Sequence, residues 1–230
     1  SDIHKAVKSL SDLKKKQVPA ATKWAINNTA VLVKEAEERE IRNVFNNPTR
    51  FTQNSLWIQW ARPGKLEAIV KIKDHAVKGT AASKYLAPEI EGGPRRHKGF
   101  EKLLISKGMM PANMYAVPSR TVKRDSYGNV SKGLIQKILS GLQAQRDVHQ
   151  RARKGSRTSG GYFAGIIGNV HGIWDVKALH NGGPALLFIY TNTPSYTKRL
   201  NFQAVAARVI SRSFNKEFGK ALAYAIATAR

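Results

Sequence analysis

Residues 88–145 read PEIEGGPRRHKGFEKLLISKGMMPANMYAVPSRTVKRDSYGNVSKGLIQKILSGLQAQ, and this stretch decides how the rest of the chain is divided. It is rich in glycine, proline and charge without being of low complexity. Gly92-Gly93-Pro94 marks a turn. Phe100, Leu103, Leu104 and Ile105 predict a short helix that Gly108 ends. Met114-Tyr115-Ala116-Val117 fits a brief strand closed by Pro118. Asp125-Ser126-Tyr127-Gly128-Asn129 is a turn, and Ser131 is placed to cap a helix carrying Leu134, Ile135, Ile138 and Leu142. So many turns and short elements between more regular ends predict a binding or assembly arm rather than a core.

The flanks are more regular. Residues 2–16 predict a first helix, with Ile3, Ala6, Val7, Leu10 and Leu13 on one face and Lys14-Lys15-Lys16 at its C-terminal end. Val18-Pro19 restarts the chain, and a second helix runs to about Asn43 with Ala21, Trp24, Ala25, Asn28, Val31 and Leu32 in a stripe. Glu35, Glu37, Glu38 and Glu40 crowd four of the chain's 15 acids together, a cluster suited to a basic neighbour. After Pro48, Leu56–Trp60 and the alternating run Leu66–Lys73 predict a hairpin around Arg62-Pro63-Gly64-Lys65. On the far side, Tyr162–Ile167, Ile173–Leu179 and Ala185–Thr191 read as strands, the middle one alternating least cleanly. A long helix follows from about Asn201 to Thr228. Phe202, Val205, Ala206, Val209, Ile210, Phe214, Phe218, Leu222 and Ala225 recur along it at three and four. The expected fold class is α+β: a small antiparallel sheet, built from residues 55–73 and 162–191, flanked by long N- and C-terminal helices. The expected organisation is a single domain over 1–230, with an inserted arm or subdomain at 76–160 that includes a flexible basic loop at 146–161.

The 230 residues carry 39 Lys and Arg against 15 Asp and Glu, a formal net charge of +24. Such a chain repels itself, so its expected partner is a polyanion or an acidic protein surface, with nucleic acid the first reading. With no cysteine, disulfides, thiolate zinc sites and cysteine nucleophiles are excluded. The polar, basic N-terminal residues lack an apolar h-region, so no signal peptide is expected, and no run approaches the roughly 18 apolar residues of a membrane span.

Catalytic signals are weak. The six histidines form no i, i+4 metal pair. There is no phosphate-cradling P-loop and no nucleophile elbow. His171 and His180 flank Trp174 and Asp175, the one arrangement that suggests a nuclease-like site; scattered strand histidines explain it better. Glu89, Glu91 and Glu101 with Lys98 and Lys102 read as ordinary helix-surface charge rather than a metal site. No catalytic residue, metal or cofactor is expected. The four tryptophans lie on separate elements and read as core or interface anchors.

Two basic features stand out. The first is the Gly/Ser-interleaved loop with Arg146, Arg151, Arg153, Lys154 and Arg157. The second is the row Arg208, Arg212, Lys216 and Lys220, whose four-residue step forms one slowly drifting line on a helix. That row reads either as a solvated face or as a rail facing phosphate or acid. Without a base-reading signature, any nucleic-acid contact is expected to be to backbone.

Val18-Pro19-Ala20-Ala21-Thr22-Lys23-Trp24-Ala25-Ile26-Asn27-Asn28-Thr29-Ala30 resembles the opening helix of the phage minor tail protein Z family. The C-terminal end is similar too: a basic helix, the element Phe214 to Gly219, an Ala-rich end and a final Arg. Tyr85-Leu86-Ala87-Pro88, Glu91-Gly92-Gly93, Met114–Pro118 and Asp125–Asn129 resemble virion proteins encoded among phage head and tail genes. The resemblance implies a structural part of a tailed bacteriophage virion, assembled in the host cytoplasm. Such a part forms a ring at the head–tail junction or tail end, around the DNA passage. The implied partners are further copies of the chain, portal, connector or tail proteins, and viral DNA held through its backbone; no membrane is involved. In that setting the loop Arg146–Arg157 is expected to face DNA. The row Arg208, Arg212, Lys216 and Lys220 is expected to meet the Glu35, Glu37, Glu38 and Glu40 cluster of a neighbouring subunit. The rival readings are a non-specific DNA-binding packaging factor and, further off, a DNA-processing enzyme.

Overall fold

The structure, a computed structural model, describes residues 11, 13–77, 79–153, 160–180 and 182–228. Most of the helix expected over 2–16 lies outside them. The chain divides into two compact units, Ser1–Glu91 with Lys198–Arg230, and Gly92–Thr197.

The first unit is mainly helical. Helix α1 (Val18–Val44) follows directly on a π-helical turn, Leu13–Gln17, and Gln17 keeps helical backbone angles. The restart expected at Val18 is therefore a widened turn and not a gap. Pro19 cannot donate an N–H and its ring crowds the carbonyl four residues back, which a wider turn relieves. Ala21, Ala25, Thr29, Val33, Glu37 and Ile41 of α1 are buried. A step of four residues drifts by about 40° per turn, so they form one winding ridge. That ridge runs along helix α6 (Phe202–Ala227). Ala21 packs with Ala221 and Ala225 at one end, and Ile41 with Leu200 and Phe202 at the other, so the helices are antiparallel.

A single helical turn, α2 (Arg50–Gln53), capped by Thr49, leads into strand β1 (Leu56–Gln59). Strand β2 (Ile69–Ile72) pairs with β1 antiparallel, Leu56 opposite Ile72, as the alternation predicts. Asn27 of α1 pins this hairpin: its Oδ1 accepts the Ala61 N–H at 2.8 Å and its amide donates to the Ala61 carbonyl at 3.2 Å. Helix α3 (Ala82–Glu91) ends the first passage. The returning chain is tied to it at Glu89. The Glu89 carbonyl accepts the N–H groups of Arg199 (2.8 Å) and Leu200 (2.9 Å), and its carboxylate accepts Arg199 Nε at 2.8 Å.

The second unit contains strand β3 (Gly93–Pro94), helix α4 (Gly99–Ser106), strand β4 (Tyr115–Pro118) and helix α5 (Lys132–Gly141). Strands β5 (Tyr162–Ile167), β6 (Val170–His180), β7 (Gly183–Thr191) and β8 (Ser195–Tyr196) follow. The antiparallel sheet has the order β4-β7-β6-β5, and β3 pairs with β8 where the chain enters and leaves. Local chemistry acts as read. The Ser131 side chain accepts the Leu134 N–H to cap α5. Asp125 Oδ1 accepts the N–H groups of Tyr127 (2.9 Å) and Asn129 (2.8 Å), with Gly128 at φ 78°. The uneven alternation of β6 corresponds to register shifts after Ile173 and Asp175.

Two expectations need correction. The stretch 88–145 supplies a core of its own: Leu104 of α4 and Ile138 and Leu139 of α5 pack with Ala116, Ile173 and Phe188 of the sheet. Residues 55–73 and 162–191 do not share one sheet, because β1 and β2 pair only with each other and the fourth strand beside 162–191 is β4.

Glu101 was read as surface charge, yet it is fully buried. Sitting at the third position of α4, its carboxylate accepts Arg95 Nη1 (2.8 Å) and Nη2 (2.6 Å), the Lys98 N–H (2.5 Å) and the Ala116 N–H (2.9 Å). The Arg95 guanidinium lies over the Tyr115 ring, and His97 stacks on the same ring with centroids 4.2 Å apart. Burial alone would raise the Glu101 carboxyl, but Arg95 and the two backbone N–H groups outweigh it and hold the group below its ordinary range. A depressed folded pKa means that this stability is present above the ordinary carboxylate range and is lost as pH falls through the folded value. Glu101→Ala leaves Arg95 without its carboxylate and is expected to cost about 3–5 kcal/mol in urea unfolding followed by far-UV circular dichroism. A loss below about 1 kcal/mol would show that the pair does not hold the unit together.

Candidate DNA-facing and assembly surfaces

The basic segment after α5 begins as an ordered structure. Asp147 accepts the His149 N–H at 2.9 Å and opens a short turn over Val148–Gln150. Ser140 Oγ donates to the Gln150 carbonyl (2.7 Å), the Ala152 N–H donates to the Ser140 carbonyl (3.1 Å), and Gln143 reaches the Ala152 carbonyl (2.9 Å). Residues 146–152 are thus folded back on the end of α5, where a flexible loop had been expected. Arg146 and Arg153 are exposed. Arg151 is half-buried and donates from Nε to the Gln145 carbonyl at 3.1 Å, so it fixes the segment as well as charging it. Lys154 and Arg157 lie outside the described residues.

On α6, Arg208, Arg212, Lys216 and Lys220 are all exposed, as a row of one helical phase. Lys220 pairs with Glu217 at 2.8 Å, and Glu217 also accepts the Asn28 amide of α1 at 3.3 Å. The acidic cluster is split by the fold. Glu35 is exposed and Glu40 half-buried, while Glu38 is paired with Lys34 of the previous turn. Glu37 is fully buried on the ridge that faces α6, so it takes no part in an exposed acidic face.

An apolar groove of about 370 Å³ runs along the helical unit. Ile26 and Val33 of α1, Phe202, Ile210 and Phe214 of α6, and Leu66 before β2 line it. Thr29 Oγ1 is buried there without a hydrogen-bond partner. The periodic small and aliphatic residues of α1 could have signalled a helix contact, but nothing in the sequence marks a groove.

Two members of the histidine arrangement have partners elsewhere. His171 packs edge-on against the Tyr190 ring at 4.8 Å. Asp175 is occupied by the N–H groups of Lys177 and Ala178, both at 3.0 Å, where β6 changes register. The side chain of His180 lies outside the described residues. Among the described residues no three His, Cys, Asp or Glu side chains gather in a form that could hold a metal ion, and no helix is long and apolar enough to cross a membrane. The tryptophans divide. Trp174 is buried and donates to the Gly165 carbonyl at 3.2 Å, Trp57 carries Lys71 over its ring, Trp24 meets Tyr224 at 5.1 Å, and Trp60 is exposed.

Burial pushes the Glu37 carboxyl up to about 8; Glu40 adds to the rise and the nearby Ala206 backbone offsets part of it. Neither carboxyl oxygen has a hydrogen-bond partner. The folded pKa lies above the unfolded one, so the folded chain holds an extra proton between about pH 4.5 and about pH 8, and stability falls as pH rises through that window. Glu37→Gln is expected to flatten this decline, the two stability profiles diverging by a total on the order of 2–5 kcal/mol between about pH 4.5 and about pH 8 by urea unfolding. Parallel pH profiles for the two proteins would contradict the assignment.

A family model described as prophage minor tail protein Z (GPZ) matches residues 2–158. No curated protein and no solved structure matches the chain.

Proposed function

Because the chain belongs to the prophage minor tail protein Z family, and is by that membership a structural protein of a bacteriophage tail, we propose that it forms a ring around the DNA passage at the head–tail junction or tail end. The observation that carries this reading is the family match over residues 2–158. The net charge of +24 supports it, because such a chain needs a polyanion or acidic surfaces close by. In this reading the protein does no catalysis, and it works by contact.

Arg146 and Arg153, exposed on a segment braced against α5, together with Lys154 and Arg157, hold the DNA backbone without reading bases. The exposed row Arg208, Arg212, Lys216 and Lys220 on α6 meets the acidic face of the next subunit, which Glu35, Glu38 and Glu40 supply. Charge on a rigid helix suits a fixed partner, whereas the segment next to glycine and serine suits a featureless polyanion.

Each neutralised phosphate contributes about 0.9 to the slope of log K against log salt on duplex DNA. Replacing Arg146, Arg153, Lys154 and Arg157 with Ala is therefore expected to flatten that slope by at most about 3–4, with no change in sequence preference and with assembly retained. Arg151 is left in place because it braces the segment. Replacing Arg208, Arg212, Lys216 and Lys220 with Ala is expected to block incorporation into particles while DNA binding persists. Unchanged affinity and slope in the first variant would assign the charge of that segment to protein contacts. DNA cleavage with Mg²⁺ or Mn²⁺ that is lost in His171→Ala would overturn the non-catalytic reading.

A further inference from the structure

The two edges of the four-stranded sheet are treated differently. At β4 two of the outward backbone groups are already engaged: the Ala116 N–H donates to Glu101 at 2.9 Å, and the Pro118 carbonyl accepts Arg124 Nη2 at 3.0 Å. Pro118 itself has no N–H. This edge is shut to another strand. At β5, among the described residues, only β6 pairs with the strand. Its sequence, Tyr162-Phe163-Ala164-Gly165-Ile166-Ile167, has no charge and no proline, and its pairing with β6 has no register shift. Those are the devices by which proteins blunt a free edge, and β5 has none of them. Phe163 is 43% and Ile166 64% exposed.

From this asymmetry we propose that β5 is an interface strand, and that its occupant is the β5 strand of a second copy of this chain, paired antiparallel about Ala164. The register follows from the backbone. Ile167 faces Val170 across the turn Gly168-Asn169, and the pair flanking a turn of this length exchanges both hydrogen bonds. Alternation then directs Phe163, Gly165 and Ile167 to β6, and the Val176 N–H bonded to the Gly161 carbonyl (3.0 Å) continues that phase. Tyr162, Ala164 and Ile166 present their backbone groups outward, a set symmetric about Ala164. A twofold axis at Ala164 lets each of these residues exchange both hydrogen bonds with the second copy.

The same register matches the side chains. Tyr162 and Ala164 face the core of the unit, so the twofold keeps core-facing side next to core-facing side. It sets exposed Ile166 beside Tyr162 of the second copy. On the opposite face it sets Phe163 beside Gly165 of the second copy; within each copy the Phe163 ring already lies over its own Gly165, so the two rings meet as one apolar patch across the axis. Charge selects the antiparallel sense. The basic run Arg146–Arg157 precedes β5, and with Tyr162 opposite Ile166 of the second copy, four steps of about 3.4 Å place the two strand starts about 14 Å apart, beyond the Debye length of about 8 Å at physiological salt. A parallel pair would bring the two runs side by side. The contact stands independently of the tail assignment.

Sedimentation equilibrium of the full chain at physiological salt, over rising concentration, tests this. A monomer–dimer equilibrium is expected. Ala164→Pro, which removes a central donor, and Ile166→Lys, which puts a charge on the edge, are each expected to weaken it at least about tenfold. Far-UV circular dichroism checks the fold, and if Ala164→Pro disturbs it, Ile166→Lys decides. Hydrogen exchange supplies a second readout: the amides of Tyr162, Ala164 and Ile166 are expected to gain protection with concentration while those of β4 do not. A monomer at every concentration, association that both variants leave unchanged, or edge amides whose exchange ignores concentration would each overturn the proposal.

Discussion

One carboxylate organises the second unit. Glu101 closes the first turn of α4 through the Lys98 N–H, occupies the edge of β4 through the Ala116 N–H, and neutralises Arg95 next to β3. A buried ion pair of this kind gains little over apolar packing when intact, but losing either partner strands a charge. Its value lies in position. Helix, strand edge and incoming chain are fixed by one group that tolerates no alternative arrangement. The Arg95 guanidinium is itself covered by Tyr115, which links the polar network to the sheet. With β4 shut in this way, β5 is left as the strand whose outer edge carries no such closure.

The helical unit rests on the opposite kind of constraint. Small residues along α1 let α6 lie close, and the polar groups caught on that ridge are left short of partners. Thr29 and Glu37 both have buried oxygens without hydrogen bonds. Glu37 meets this by holding its proton, which removes the charge that burial would penalise most. Placing one acid inside withdraws it from the surface of a chain already at +24. Of that cluster only Glu35 is exposed and Glu40 is half-buried, beside four exposed cations on α6. A protein built this way depends on its surroundings for counter-charge, which fits a component of a particle packed with DNA.

Elements set by local chemistry were legible in the sequence. The two long helices show in their three-and-four spacing, the β1–β2 hairpin in its alternation and turn, the cap of α5 in Ser131, and the Asp125 turn in its residue types. What stayed hidden depends on partners far along the chain. Nothing in Tyr115–Pro118 says that it pairs with residues 188–191, so the fourth strand of that sheet is not legible in the sequence. Glu101 is surrounded in sequence by lysines and looks like any helix-surface acid; only the fold turns Arg95 and Ala116 toward it. Glu37 was grouped with its neighbours for the same reason, although its four-residue spacing from Val33 and Ile41 marks the buried ridge. The basic segment after α5 looked unstructured because its order comes from hydrogen bonds to Ser140 and Gln143, which composition does not reveal.

Whether the chain encircles the DNA passage, as proposed, is decided by electron cryomicroscopy of purified particles. The expected density is a closed ring of this chain at the head–tail junction or tail end, with Arg146 and Arg153 on the side that faces DNA and the α6 row at the contact between subunits. Particles that lack the chain, or that carry it away from the passage with those arginines turned from DNA, would contradict it.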